Sequence, residues 1–197
     1  MYEIELKAHV YDREKTISYL ESLAKFDSKI IKNDTYYSLK TQKLINNKDH
    51  ISIRIRKEYI QFSGTDKSEI LVTYKKKEIR TNEYGTSIEV NEENECTVSD
   101  SSPLEKFLID AGAVIQLKKE KITLRYTLQT DYGQANLELC TVPPLGDFLE
   151  IEILSDNNDN QTVEKIQNEI KNLIQKCGIS LDCIEPKYYS EMLNQHS

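Results

Sequence analysis

Histidines and paired cysteines are scarce in this chain. His9, His50 and His196 are scattered, and Cys96, Cys140, Cys177 and Cys183 form no CxxC pair, so a zinc centre is not expected. No stretch approaches the roughly 20 consecutive apolar residues that a membrane span requires. A basic segment followed by an apolar one is also missing at the N-terminus. These absences predict a soluble, cytoplasmic protein with reduced thiols and no membrane partner. Positive charge is in deficit as well, 26 Lys and Arg against 33 Asp and Glu for a net charge of −7. That balance argues against a surface that coats nucleic acid, but it leaves room for a locally basic pocket that takes a small anion. With 197 residues and neither an internal repeat nor a low-complexity segment, the chain is read as a single domain over residues 1–197.

Charge overall is abundant, at 30% of residues, and it is patterned. The first strand candidate reads Met1-Tyr2-Glu3-Ile4-Glu5-Leu6-Lys7. Successive side chains of an extended strand point to opposite faces, so Glu3, Glu5 and Lys7 share one face and Ile4 and Leu6 the other. A half-buried strand with its charges in water gives the same alternation. Its recurrence argues for more. Arg54-Ile55-Arg56, Lys75-Lys76-Lys77, Glu93-Asn94-Glu95, Lys119-Glu120-Lys121 and Glu150-Ile151-Glu152 also set like charges two apart, within strand-like stretches. At about 4 Å and an effective dielectric near 20, such a pair costs on the order of 4 kcal/mol before relaxation and salt. Three anionic and three cationic pairs predict a shared polar interior. In it carboxylates would hold hard divalent cations, and Lys and Arg a polyanion.

Strand candidates start near residues 2, 30, 50, 69, 86, 114, 134 and 148. Three helices stand between or after them: Asp12 to about Phe26, Ser101 to about Gly112, and Thr162 to Cys177 closed by Gly178. Thr41 to Asp49 reads as a loop and Gln61 to Lys67 as a turn. Short turns and few crossover helices predict a mainly β (α+β) fold, a closed eight-stranded antiparallel barrel. The charged stripes would face its lumen, and the helices would pack outside.

The motifs in these strands resemble those of the CYTH family, the triphosphate tunnel metalloenzymes. Glu3-Ile4-Glu5-Leu6-Lys7 resembles its ExExK signature, and Asp34-Thr35-Tyr36-Tyr37 its D-x-Y-aromatic strand. Ile53-Arg54-Ile55-Arg56 is similar to L-R-x-R, and Lys119-Glu120-Lys121 to K-x-R with Lys for Arg. Leu145-Gly146-Asp147-Phe148-Leu149-Glu150-Ile151-Glu152 resembles the family's L-G-D-F-x-E-I-E run, the longest match. Glu185 to Leu193 resembles the tail of class IV cyclase-like members, with Tyr188 where Ser is usual. Lys76 and Lys77 replace the Gly and Pro that usually follow Lys75, Asn91 stands for an Arg, and Cys140 for an Asp.

The resemblance implies a small-molecule triphosphate as the partner: ATP, thiamine triphosphate or inorganic tripolyphosphate. Lys7, Arg54, Arg56, Lys75, Lys119, Lys121 and Arg125 would hold its phosphates. Glu3, Glu5, Glu93, Glu95, Glu150 and Glu152 would hold Mg²⁺ or Mn²⁺, and Lys119 and Tyr36 would be catalytic. A class IV adenylyl cyclase-like reaction, ATP to cyclic AMP and pyrophosphate, is the first reading. A triphosphatase is the second, and a non-catalytic module binding polyphosphate or nucleotide the third.

Overall fold

The computed structural model describes residues 2–39, 50–62, 65–81, 87–157 and 159–195, with side chains described for all of these but 39, 50, 77–81, 87–93 and 194. The expected loop at Thr41 to Asp49 lies outside the described residues. The elements are β1 (Tyr2–Val10), α1 (Arg13–Leu23), β2 (Lys25–Leu39), β3 (His50–Gln61), β4 (Asp66–Thr81), β5 (Ser87–Val98), α2 (Ser102–Asp110), β6 (Ala113–Thr130), β7 (Gly133–Val142), β8 (Gly146–Ser155) and α3 (Asn160–Lys176). A 3₁₀ turn, Leu181–Cys183, and α4 (Tyr189–Gln195) complete the chain. The eight strands form one sheet of order β1-β8-β7-β6-β2-β3-β4-β5. Its described registers, β1 with β8, β4 with β5, β6 with β7 and β7 with β8, are all antiparallel. The mainly β architecture and strand count match the sequence reading. The barrel closure it anticipated is not among the described pairings, which run from β1 to β5 without returning. No helix among the described residues is long and apolar enough to cross a membrane.

Contacts divide the chain into two compact units, Met1–Ile31 with Ile60–Asp66 and Lys121–Ser197, and Lys32–Tyr59 with Lys67–Glu120. In the first, register sorts the alternating strands into rows. Ile4, Ile153, Ala135 and Leu128 line up across β1, β8, β7 and β6, as do Leu6, Ile151, Leu137 and Tyr126. Ala8, Leu149, Leu139 and Leu124 form a third row. The apolar face they make is covered by Ile166, Ile170, Leu173 and Ile174 of α3 and by Leu20 of α1. Each fully buried Leu or Ile contributes about 1.5–3 kcal/mol, so this two-layer core is what fixes the register of the opposite, charged face.

Local chemistry sets the helix limits. Asp159 accepts from Thr162 N at 2.9 Å to cap α3, and Asp12 accepts from Lys15 N at 3.1 Å to cap α1. Helix α1 ends at Leu23, earlier than expected, because Ala24 is already extended. Phe26 instead packs edge-on against Tyr126, with centroids 5.4 Å apart. After α3, Gly178 sits at φ +77, and a Cβ there would meet Tyr19 Cε2 at 2.5 Å. That position needs glycine for both its backbone and its space.

The second unit has a smaller core of Tyr37, Ile55, Leu108 and Ala113, with Ile53, Ile70, Val72 and Leu104 against it. Ser101, the residue before α2, makes no side-chain cap bond. Asp100 accepts from Ser102 N instead, at 2.9 Å, while the Ser101 hydroxyl donates to Glu105 at 2.6 Å. Glu105 also accepts from Tyr37 at 3.3 Å and lies 3.1 Å from Lys57 Nζ. This network ties α2 to β2 and β3.

Candidate functional site

The charged face of the first unit follows from the same registers. Lys7 of β1, Glu150 of β8, Glu138 of β7 and Arg125 of β6 form one row, and Glu5, Glu152, Asn136 and Thr127 the next. Glu3 precedes Glu5 by two on the same face of β1.

Within this face two groups of carboxylates have different surroundings. Glu150 and Glu138 are neutralised from inside the protein. Lys121 Nζ donates to Glu150 Oε2 at 2.6 Å and to Glu138 Oε2 at 3.2 Å. Arg125 donates to Glu138 Oε1 through Nε at 3.0 Å and Nη2 at 2.7 Å. Burial opposes the charge on Glu150, but the Lys121 ammonium outweighs it and holds the carboxyl below its usual range. Burial also opposes the charge on Lys121, and Cys140, Glu150 and Glu138 reverse that, holding the ammonium well above its ordinary value. The Cys140 thiol is pushed up to about 12, chiefly by burial.

Glu5 and Glu152 face each other across β1 and β8, and neither closes an ion pair among the described residues. Loss of water, then the charges of Glu150 and Glu152, raise the Glu5 carboxyl to about 7, against Lys121 and Lys7. Glu5 is exposed by surface area, so water screens part of this effect, and its direction is upward. Loss of water, then Glu3 and Glu138, raise Glu152 in the same way, against a hydrogen bond from Asn136. Glu5 and Glu152 are thus adjoining carboxylates held above their ordinary range, with no ion pair closed on either among the described residues. An all-oxygen set of this kind suits a hard divalent cation.

One end of the face meets the C-terminal segment. Glu185 N donates to Lys7 O at 2.8 Å, and His9 Nε2 lies 3.2 Å from Glu185 Oε2. Lys7 Nζ donates to Lys187 O and stands 4.3 Å from the centroid of the Tyr189 ring. Tyr189 packs edge-on against Phe148 with centroids 5.1 Å apart.

The second unit holds a basic cluster. Asp34 of β2, whose side chain is 0% exposed, accepts from Arg56 Nε at 2.6 Å and Nη2 at 2.9 Å. Lys119 Nζ stands 3.2 Å from Asp34 Oδ2 and 5.9 Å from the centroid of the Tyr36 ring. Burial works to raise the Asp34 carboxyl, but the Arg56 hydrogen bonds, with the charges of Arg56, Lys119 and Arg54, hold it well below the usual range. Arg54 Nη2 donates to Thr73 Oγ1 at 2.9 Å and Glu95 Oε2 at 3.1 Å, and Thr73 donates to the same carboxylate oxygen at 2.6 Å. Arg54 Nε is buried and has no hydrogen-bond partner among the described residues, which leaves this guanidinium a donor for an anion oxygen.

The expected residues are therefore sorted by unit. Glu3, Glu5, Glu150, Glu152, Lys7, Lys121 and Arg125 belong to the first, and Tyr36, Arg54, Arg56, Lys75, Lys119, Glu93 and Glu95 to the second. Glu95, expected at a metal, is the partner of Arg54. Lys75 stands opposite Glu93 in the β4–β5 register, and the Glu93 side chain is outside the described ones. Asp34 is the residue the sequence reading left without a role. Its signal was the first letter of the D-x-Y-aromatic strand, the acid nearest in sequence to Tyr36.

Comparison with known proteins assigns the family. A CYTH domain model matches residues 1–189. The chain belongs to the CYTH domain family. No curated protein matches it. Among solved structures, the chain is similar to the PH1819 protein of Pyrococcus horikoshii, with 23% identity, TM-score 0.72 and full coverage of both chains, 100% and 100%. A Vibrio parahaemolyticus protein provisionally assigned as an adenylate cyclase shares 17% identity at TM-score 0.70, over 98% of each chain. HpAC1 from Hippeastrum, provisionally assigned as an adenylyl cyclase and reported to have a dominant triphosphatase activity, shares 12% identity at TM-score 0.61, over 99% of this chain and 95% of its own. These likenesses bear on the fold, which the chain shares with all three.

Proposed function

We propose that this CYTH protein is a divalent-cation-dependent enzyme acting on a triphosphate, with a class IV adenylyl cyclase-like reaction as the first reading. The observation that carries it is the contrast between two charged groups: Glu5 and Glu152, which face each other and close no ion pair among the described residues, and the Arg54, Arg56 and Lys119 cluster, in which the buried Arg54 Nε has no hydrogen-bond partner among the described residues.

Arg54 and Arg56 are the forks for phosphate oxygens, and Lys75 and Lys119 the point charges. Glu3, Glu5 and Glu152, bordered by Glu150, are the oxygen ligands for Mg²⁺ or Mn²⁺. Such a cation neutralises charge that develops on phosphate oxygens. Phosphoryl transfer asks the protein mainly for positioning and electrostatics. In the cyclase reading the ribose 3′-hydroxyl of ATP attacks the α-phosphorus. The bond to the bridging oxygen breaks, pyrophosphate leaves, and the hydroxyl proton passes to solvent. In this reading Lys119, whose Nζ stands 3.2 Å from Asp34 Oδ2, holds phosphate oxygens as a point charge.

The second reading is a triphosphatase, favoured by Tyr36, whose ring lies 5.9 Å from Lys119 Nζ, and by the activity described for HpAC1. The test is a product analysis with ATP, thiamine triphosphate and tripolyphosphate, each with Mg²⁺ and with Mn²⁺. Cyclic AMP and pyrophosphate support the first reading, and orthophosphate the second. Binding without product leaves a polyphosphate-binding module and ends both.

A further inference from the structure

Glu138, Cys140 and Glu150 each offer one ligand atom, and these atoms lie within 4.8 Å of one another. Three such atoms, on a buried thiol and two half-buried carboxylates, are spaced for a cation, and this corner already has one. Lys121, 5% exposed, puts its Nζ 2.6 Å from Glu150 Oε2 and 3.2 Å from Glu138 Oε2. Arg125 Nη2 lies 2.7 Å from the other oxygen of Glu138. Two carboxylates are thus matched by two cations, and Cys140 Sγ, 0% exposed, is engaged with Thr123 Oγ1 at 3.5 Å. A divalent ion entering here would have to displace an ammonium that is covalently tethered to β6, against like-charge repulsion at contact distance. The neighbouring group differs. Glu5 and Glu152 are directly paired across β1 and β8, and no Lys or Arg closes on either among the described residues.

We propose that the Lys121 ammonium is a built-in cation filling the Glu138–Cys140–Glu150 group, so that this acidic face takes one divalent ion, on Glu3, Glu5 and Glu152, rather than two. The inference rests on the reading that these carboxylates hold such an ion. Lys121 then acts as a positioning residue. It fixes Glu150 beside the ion's carboxylates, and it keeps soft metals from a thiol that has two carboxylates beside it.

The experiment counts Mn²⁺ bound to the full chain, by the paramagnetic resonance signal of the free ion. One Mn²⁺ per chain is expected. Glu138→Gln should keep that stoichiometry with affinity within about threefold, whereas Glu152→Gln should weaken binding by about tenfold or more. Lys121→Met opens the second group, so a second Mn²⁺ is expected there. Added Cd²⁺ should then give a thiolate charge-transfer absorption in excess of any that the exposed Cys96 gives in the parent. Two Mn²⁺ per parent chain would overturn the proposal and leave the metal reading standing, whereas none would remove both. Should Lys121→Met not fold, the parent count and Glu138→Gln decide. A folded Lys121→Met with one Mn²⁺ and no cadmium band beyond the parent's would show that the ammonium is not what excludes the second ion.

Discussion

Replacing Asp34 by Asn strikes the basic cluster at its centre. The wild-type carboxylate is 0% exposed and takes Arg56 at 2.6 Å and 2.9 Å and Lys119 at 3.2 Å. Asparagine keeps the volume, removes the charge and turns an amide donor toward groups that can only donate. Arg56 and Lys119, with side chains 12% and 8% exposed, would then lack their shared counter-ion. Removing one partner of a buried ion pair costs about 3–5 kcal/mol. Glu58, 3.5 Å from Arg56 Nη1, retains part of the compensation, so the lower end, about 3 kcal/mol, is expected. For a chain of this size that lowers the melting temperature by about 6–12 °C.

The pH dependence adds an independent check. The folded Asp34 carboxyl is held below its ordinary 3.8. A carboxyl depressed by folding contributes stability that is fully present above its unfolded value and is lost as pH falls toward the folded one. The gap between parent and Asp34→Asn, measured by urea unfolding, should therefore be constant above pH ~5 and shrink below about 4. A melting temperature within about 2 °C of the parent, or a gap that does not narrow in acid, would refute the reasoning.

Glu152→Gln keeps the side-chain shape and removes a charge from the Glu5 and Glu152 pair. Divalent-dependent turnover should fall at least about tenfold with little change in melting temperature, and full activity with unchanged Mg²⁺ dependence would contradict its role. Lys119→Arg keeps a cation that does not serve as a base near neutral pH. In a triphosphatase it should reduce orthophosphate release far more than triphosphate affinity, whereas a cyclase should keep much of its turnover, with binding altered. A variant that binds and turns over like the parent removes Lys119 from the mechanism. Burial pushes the Cys140 and Cys177 thiols up to about 12 and about 11, and Cys96 is exposed. Iodoacetamide near neutral pH should therefore modify Cys96 and spare Cys140 and Cys177 until urea is added, as mass spectrometry would show.

Strand number and the alternation of charge with aliphatics were legible, because a period of two is written directly in stretches such as Glu3 to Lys7. Strand ends were less so. Strand β2 begins at Lys25 rather than near residue 30, since the packing of Phe26 on Tyr126 is a tertiary event with no local sign. The paired like charges did mark polar faces, but their partners depend on register. Nothing local to Lys121 says that it will lie between Glu138 and Glu150, and nothing local to Glu95 that it will serve Arg54. Asp34 was hidden for the same reason: its cations come from β3 and β6, 22 residues away for Arg56. The division between carboxylates that close ion pairs among the described residues and those that do not is likewise a property of the assembled sheet.

The central claim, that this CYTH protein handles a triphosphate together with a divalent cation, is tested most directly by titration calorimetry. The slowly cleaved imido analogue of tripolyphosphate would be titrated into the parent, in Mg²⁺ and in chelator. The account predicts saturable binding of one anion per chain, tightened by about tenfold or more, some 1.4 kcal/mol, when Mg²⁺ is present. No saturable binding, or binding of equal strength in chelator, would contradict it.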